Sequence, residues 1–186
     1  MASKRETLIQ TSCKLFCSDG FNTTGIDKIL KKAKVNKMTM YKYFKTKNDL
    51  IIATLDYAHD MFVKNIIEEI DKLDITPKEK IAKIFDILWE FTQKKKFVRC
   101  LFINASAEFP DFNDPIHKAA IQHKLSTEKY VKKLLDKMKI KDSKHLARVI
   151  TALLQGALVM AQIVGDKDYY LDTKKVIGNL LKQKSY

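Results

Sequence analysis

Polar and apolar positions along this chain fall almost everywhere on a helical period. Leu8, Ile9, Ser12, Leu15 and Phe16 recur at the three- and four-residue steps that gather side chains on one helix face. Ser3-Lys4-Arg5-Glu6 has capping-box spacing, and Gly20 suits a helix end, so a first helix is predicted over about 4–18. Ile26, Ile29, Leu30 and Ala33 predict a short amphipathic helix ending near Lys32, with Thr24 and Asp27 as its capping pair. Val35 is an isolated apolar residue in a tight connection, and Asn36 is the N-cap of a third helix, Lys37 to Phe44. Thr46-Lys47-Asn48-Asp49 opens a fourth, with Leu50, Ile51, Ala53, Leu55 and Ala58 behind it.

Helical spacing continues to the end. Thr76-Pro77-Lys78-Glu79 combines an N-cap, a first-turn proline and a capping acid ahead of Ile81, Ile84, Phe85, Leu88 and Trp89. Lys94-Lys95-Lys96 reads as a solvated helix end, Phe97 to Ala107 as a helix, and Glu108 to Pro115 as a loop. Ile116 to Met138 is a long helix. Another, capped by Asp142 or Ser143, runs to Val164; after a connection over Asp166–Asp172, Thr173 to Lys182 is the last. No stretch alternates at period two and nothing repeats, so the fold is predicted to be all-α. Five glycines and three prolines in 186 residues agree with long helices.

Charge adds a partner. Of the net +13, residues 1–50 carry +7, from 11 Lys/Arg against 4 Asp/Glu, and the other 136 residues carry +6, from 24 against 18. An excess concentrated at the N-terminal end points to a polyanion contact there. Cys13, Cys17 and Cys100 form neither a disulfide framework nor a zinc spacing, which suggests a reducing compartment. The start has no signal-peptide pattern, and the most apolar stretch, Thr151 to Val164, is too short to span a bilayer; a cytoplasmic protein with no membrane partner is expected. No Gly-rich phosphate loop, nucleophile elbow or metal-ligand spacing is present, so no enzyme, catalytic residue, metal or cofactor is expected.

The informative segment is Gly25 to Phe44: two helices of about eight residues joined by about three, the geometry of a helix-turn-helix whose second helix enters the major groove. That helix is basic, with Lys37, Met38, Thr39 and Lys42 at exposed positions, and Tyr41, Tyr43, Lys45 and Lys47 follow or flank it. These features sharpen a pattern that any short helix pair can mimic.

Leu15-Phe16, Gly20-Phe21, Thr24, Ile26, Ile29, Ala33, Val35, Thr39-Met40-Tyr41, Tyr43-Phe44, Lys47 and Leu50 together resemble, without a gap, the N-terminal module of the tetracycline-repressor (TetR) family of bacterial regulators. Phe102-Ile103-Asn104-Ala105, His117 to Ala120 and Gln155-Gly156-Ala157 resemble the regulatory domain of one common subgroup. Where the family often has Gly, Ser and a small residue, this chain has Lys34, Asn36 and Met38. The resemblance implies a three-helix DNA-binding domain over 1–47 and a larger helical ligand-binding and dimerisation domain over 48–186. With position, it also implies roles: Lys37, Met38, Thr39 and Lys42 at base edges or nearby phosphates, and Thr24, Tyr41, Tyr43, Lys45 and Lys47 as phosphate anchors.

One reading head buries little surface, so a homodimer on a palindromic operator in double-stranded DNA is expected. Its candidate seam is Val131, Leu135, Leu146, Ile150, Leu153, Gly156 and Ala157. The resemblance further implies a pocket in the larger domain for a small apolar or amphipathic ligand. Met61, Phe62, Phe85, Trp89, Phe102, Asn104 and Phe109 are its candidate lining. The implied function is repression relieved by that ligand; the alternative is a helix-turn-helix regulator without a small-molecule ligand, controlled by a protein partner.

Overall fold

The computed structural model describes residues 3–92 and 100–183. Among the described residues every regular element is helical: α1 (Lys4–Asp19), α2 (Ile26–Ala33), α3 (Lys37–Tyr43), α4 (Lys47–Phe62), a π-helical turn (Val63–Ile67) leading to α5 (Glu68–Lys72), α6 (Pro77–Thr92), α7 (Leu101–Glu108), α8 (Pro115–Lys137), α9 (Ser143–Val164) and α10 (Asp168–Gln183). The expected Lys94–Lys96 helix end, and residues 97–99 of the expected Phe97–Ala107 helix, lie outside the described residues.

The ends have local causes. At α1 the Ser3 hydroxyl accepts from the Glu6 amide (3.1 Å) while the Ser3 amide donates to the Glu6 carboxylate (2.7 Å), completing the capping box. The same exchange opens α4 through Thr46 and Asp49 and α6 through Thr76 and Glu79. The last helix starts at Asp168 rather than Thr173, because the Asp166 carboxylate accepts from the Asp168 amide and caps a turn expected to be a connection. Lys34 closes α2 in the left-handed conformation (φ 53°), with the Val35 amide donating to Leu30 O. Glycine would hold that conformation with less strain.

The chain divides into two compact units. One comprises Met1–Met61 and Phe97–His123, the other Phe62–Lys96 and Lys124–Tyr186. The core of the first is Leu8, Phe16, Phe21, Ile29, Met40, Leu50, Ile51 and Leu55, joined by Ala105 and Ile116. The core of the second is Ile70, Ile81, Phe85, Leu134, Leu154 and Tyr170, with Val131, Leu135, Leu146, Ile150 and Ala157. Those last five were expected on the dimer seam; they are buried within their own chain instead. Period alone cannot distinguish the two, because the inner and outer faces of α9 are both apolar. Its outer stripe is Ala152, Gly156, Met160 and Ile163, with Leu153 half-buried beside it. Space for a Cβ at Gly156 is open within the chain.

Candidate nucleic-acid interface

The reading head is built by burying one face of each short helix. Phe16 and Phe21 pack ring to ring (centroids 4.8 Å apart), and Ile29, Leu30 and Ala33 close α2 over them. Val35 fills the core from inside the turn, as its apolar character in a polar connection predicts. Asn36 then caps α3, its Oδ1 accepting from the Thr39 amide at 2.7 Å. Met40 is fully buried and Phe44 nearly so, and these two fix the rotation of α3 about its axis.

With Met40 inward, the other side chains of α3 face out. Met38 is 81% exposed, the largest value among the described large apolar residues. Lys37, Tyr41, Lys42 and Tyr43 are exposed and Thr39 is half-buried. Tyr43 therefore lies on the surface and not in the core. Lys45 is exposed just beyond α3.

Two expected anchors are differently placed. Thr24 is completely buried, and its hydroxyl donates to Gly20 O at 2.6 Å; the N-cap of α2 is Gly25, without a side-chain cap. This corrects both expectations for Thr24, as helix cap and as hydroxyl offered to phosphate: its side chain braces the α1–α2 turn. Lys47 is half-buried, with Nζ donating to Phe21 O at 2.6 Å. Burial lowers its pKa, and the Glu108 carboxylate partly offsets this. The amides of Thr46 and Asp49 at the start of α4 are taken by their own capping pair, so they are not free to meet a phosphate.

Glu108, the last residue of α7, was not foreseen. Its carboxylate accepts from the Phe21 amide (2.9 Å) and the Asn22 amide (2.7 Å). It lies 87 residues from Phe21, and no local pattern could pair them.

The candidate pocket residues divide between the units. In the first, Phe102 stacks on His123 (3.5 Å), Phe109 meets Phe21 edge-on (5.9 Å) and Met61 is exposed. Asn104 has a buried amide nitrogen without a hydrogen-bond partner among the described residues. In the second, Phe85 is buried against Tyr170, Trp89 stacks on that same ring, and Phe62 packs against the core. Phe85 and Phe102, expected to line a pocket, are buried against aromatic neighbours. Two open depressions in the second unit, of about 780 and 420 Å³, are lined by other residues, among them Lys129, Lys133 and Lys137 in one and Leu153, Tyr169 and Asp172 in the other. Among the described residues no helix is long and apolar enough to cross a membrane.

Comparisons with known proteins agree with this architecture. Residues 8–54 match the family model described as bacterial regulatory proteins, tetR family, and residues 77–177 match the tetracyclin repressor-like C-terminal domain. The HTH-type transcriptional regulator YuxN of Bacillus subtilis is 31% identical over 99 residues, 53% of this chain but 34% of that protein. The HTH-type transcriptional repressor NemR of Escherichia coli is 27% identical over 116 residues, 62% of this chain and 58% of that one. The chain thus spans about a third of one relative's length and somewhat over half of the other's. A TetR-family regulator of known structure from Streptomyces coelicolor superposes with a TM-score of 0.89 over 98% of this chain and 96% of that one, at 24% identity, which shows the shared fold.

Proposed function

Because the chain belongs to the tetR family of bacterial regulatory proteins, we propose that it works as a homodimeric repressor whose two α3 helices read the half-sites of a palindromic operator. The family is one of DNA-binding transcriptional regulators rather than enzymes. The observation that carries the proposal is the surface of α3. Lys37, Met38, Tyr41 and Lys42 project from a short helix whose rotation is set by buried Met40. Lysine donates to guanine acceptors and the Met38 thioether meets thymine methyls. Tyr41, Tyr43 and Lys45 reach phosphates, and Thr39 meets a base edge near the capped start of the helix.

Lys47 keeps its proposed phosphate role. An ammonium has three donors, and Phe21 O uses one. The head is carried twice by a dimer formed through the outer stripe of α9, with Gly156 on it and Leu153 beside it, and the exposed Tyr169 and Val176 of α10. A small apolar or amphipathic ligand lowers operator affinity by binding one arrangement of the helices better than the other. Asn104 is a polar group able to recognise it, since its buried amide nitrogen lacks a hydrogen-bond partner among the described residues. A second reading, control by a protein partner instead of a ligand, gains support from the burial of Phe85 and Phe102 against aromatic neighbours.

Selection of bound duplexes from random sequence tests the function, and a palindrome is expected; recovery of unrelated sequences at equal affinity would refute specific binding. With the selected duplex, Lys47→Ala is expected to weaken binding and lower the slope of log affinity against log salt by about one unit per head. An unchanged slope would remove Lys47 from the phosphate contacts.

A further inference from the structure

We infer that Glu108 is a positioning residue for the DNA contact, seating the Lys47 ammonium through the single peptide group between Phe21 and Asn22. The inference rests on the reading of Lys47 as a phosphate contact. That peptide has two polar ends, and both are engaged. Its N–H, on Asn22, donates to Glu108 Oε2 at 2.7 Å, and its carbonyl, on Phe21, accepts from Lys47 Nζ at 2.6 Å. The other carboxylate oxygen holds the neighbouring Phe21 amide at 2.9 Å. Carboxylate, peptide and ammonium thus form one chain in which each bond polarises the next.

The surroundings make that chain stiff. Phe21 is fully buried between Phe16 and Phe109, so its peptide cannot swing without breaking the core. Gly20 has φ 89°, and a Cβ there would stand 3.0 Å from Glu108 Oε1; the glycine serves both the turn and the carboxylate. Thr24 ties the same turn through Gly20 O. Glu108 and Phe109 belong to the segment matched by the C-terminal model, whereas Gly20 to Lys47 lie in the N-terminal match. A shift of the α7 end therefore reaches the DNA-facing lysine through two hydrogen bonds joined by one peptide group. A free lysine would lose more side-chain freedom on meeting a phosphate; a seated one has lost part of it in advance.

The test is a double-mutant cycle on the full chain, read as affinity for the selected duplex at several salt concentrations. Glu108→Gln removes a negative charge, which by itself strengthens binding to a polyanion. The inference requires the opposite: about three- to tenfold weaker binding in the parent, and less than about twofold in the Lys47→Ala background. Glu108→Asp keeps the charge but is one methylene too short to hold both amides, and it is expected to weaken binding similarly. Equal weakening in both backgrounds would show a general structural role and overturn the inference, as would unchanged or tighter binding by the two Glu108 variants. A Lys47→Ala variant with an unaltered salt slope removes the phosphate reading itself, and that result is seen without any Glu108 variant.

Discussion

Gly156→Arg is expected to convert the protein from dimer to monomer and to lower operator affinity by about a hundredfold or more. Gly156 carries a cost that the single chain does not explain. Glycine inside a helix is less favourable than alanine by about 1 kcal/mol, and Gly156 lies in the middle of the 22-residue α9. It is exposed, its φ is unexceptional, and an added Cβ meets nothing within 4 Å. A missing side chain there makes sense if another helix crosses closely. Ala152, one turn earlier, is also small, while Met160 and Ile163 carry the stripe onward, the latter 75% exposed.

At a two-fold interface each residue appears twice, so one arginine places two bulky cations in the tightest part of the seam. Within the chain the change is harmless and favours the helix, so helicity by circular dichroism is expected to be kept. Loss of the second head removes an intramolecular gain of about 10²–10⁴ in affinity. Sedimentation and operator titration decide it: a Gly156→Arg protein that remains dimeric places the seam elsewhere.

Phe85→Ala is expected to cost about 3–5 kcal/mol of stability, the range for a large aromatic side chain lost from a packed interior. The ring is 1% exposed and lies 5.6 Å from Tyr170, itself fully buried and stacked on Trp89. Truncation leaves a hole that this aromatic group cannot collapse to fill. Urea unfolding followed by circular dichroism measures the loss. A decrease below about 1 kcal/mol would mean that the ring borders a cavity able to relax, as a ligand pocket would. Trp89 is the one tryptophan of the chain, so its emission reports the same cluster independently.

The reading head was legible at the level of single residues. Capping pairs at Ser3/Glu6 and Thr46/Asp49 formed as spaced, Asn36 capped α3, and Val35 and Phe44 went to the core. The caps are local: each partner lies within one turn of chain, where helix geometry alone sets the distance. Thr24 failed by the same logic. Its spacing to Asp27 suited a cap, but the turn placed Gly25 at that position and turned the hydroxyl inward to Gly20 O. The start of α10 was missed because Asp166 supplies its cap from within what looked like a connection.

The larger helices show what a one-dimensional pattern leaves open. On α9 apolar residues occupy more than one face, so their period establishes a helix without saying which face meets the same chain. Only packing decided that Ile150 and Leu146 point inward while Gly156 and Met160 stay outside. The pocket candidates illustrate the same limit, since a large aromatic residue satisfies a cavity wall and a filled core equally well. By itself the sequence determined the helices, the helix-turn-helix and the family, because those depend on spacing along one strand of chain. The tertiary structure decided the inward face of α9, the burial of Thr24, and the bonding of Glu108 to a peptide 86 residues away. Each of these depends on which surfaces meet, and hydrophobic burial that drives such meetings is non-directional.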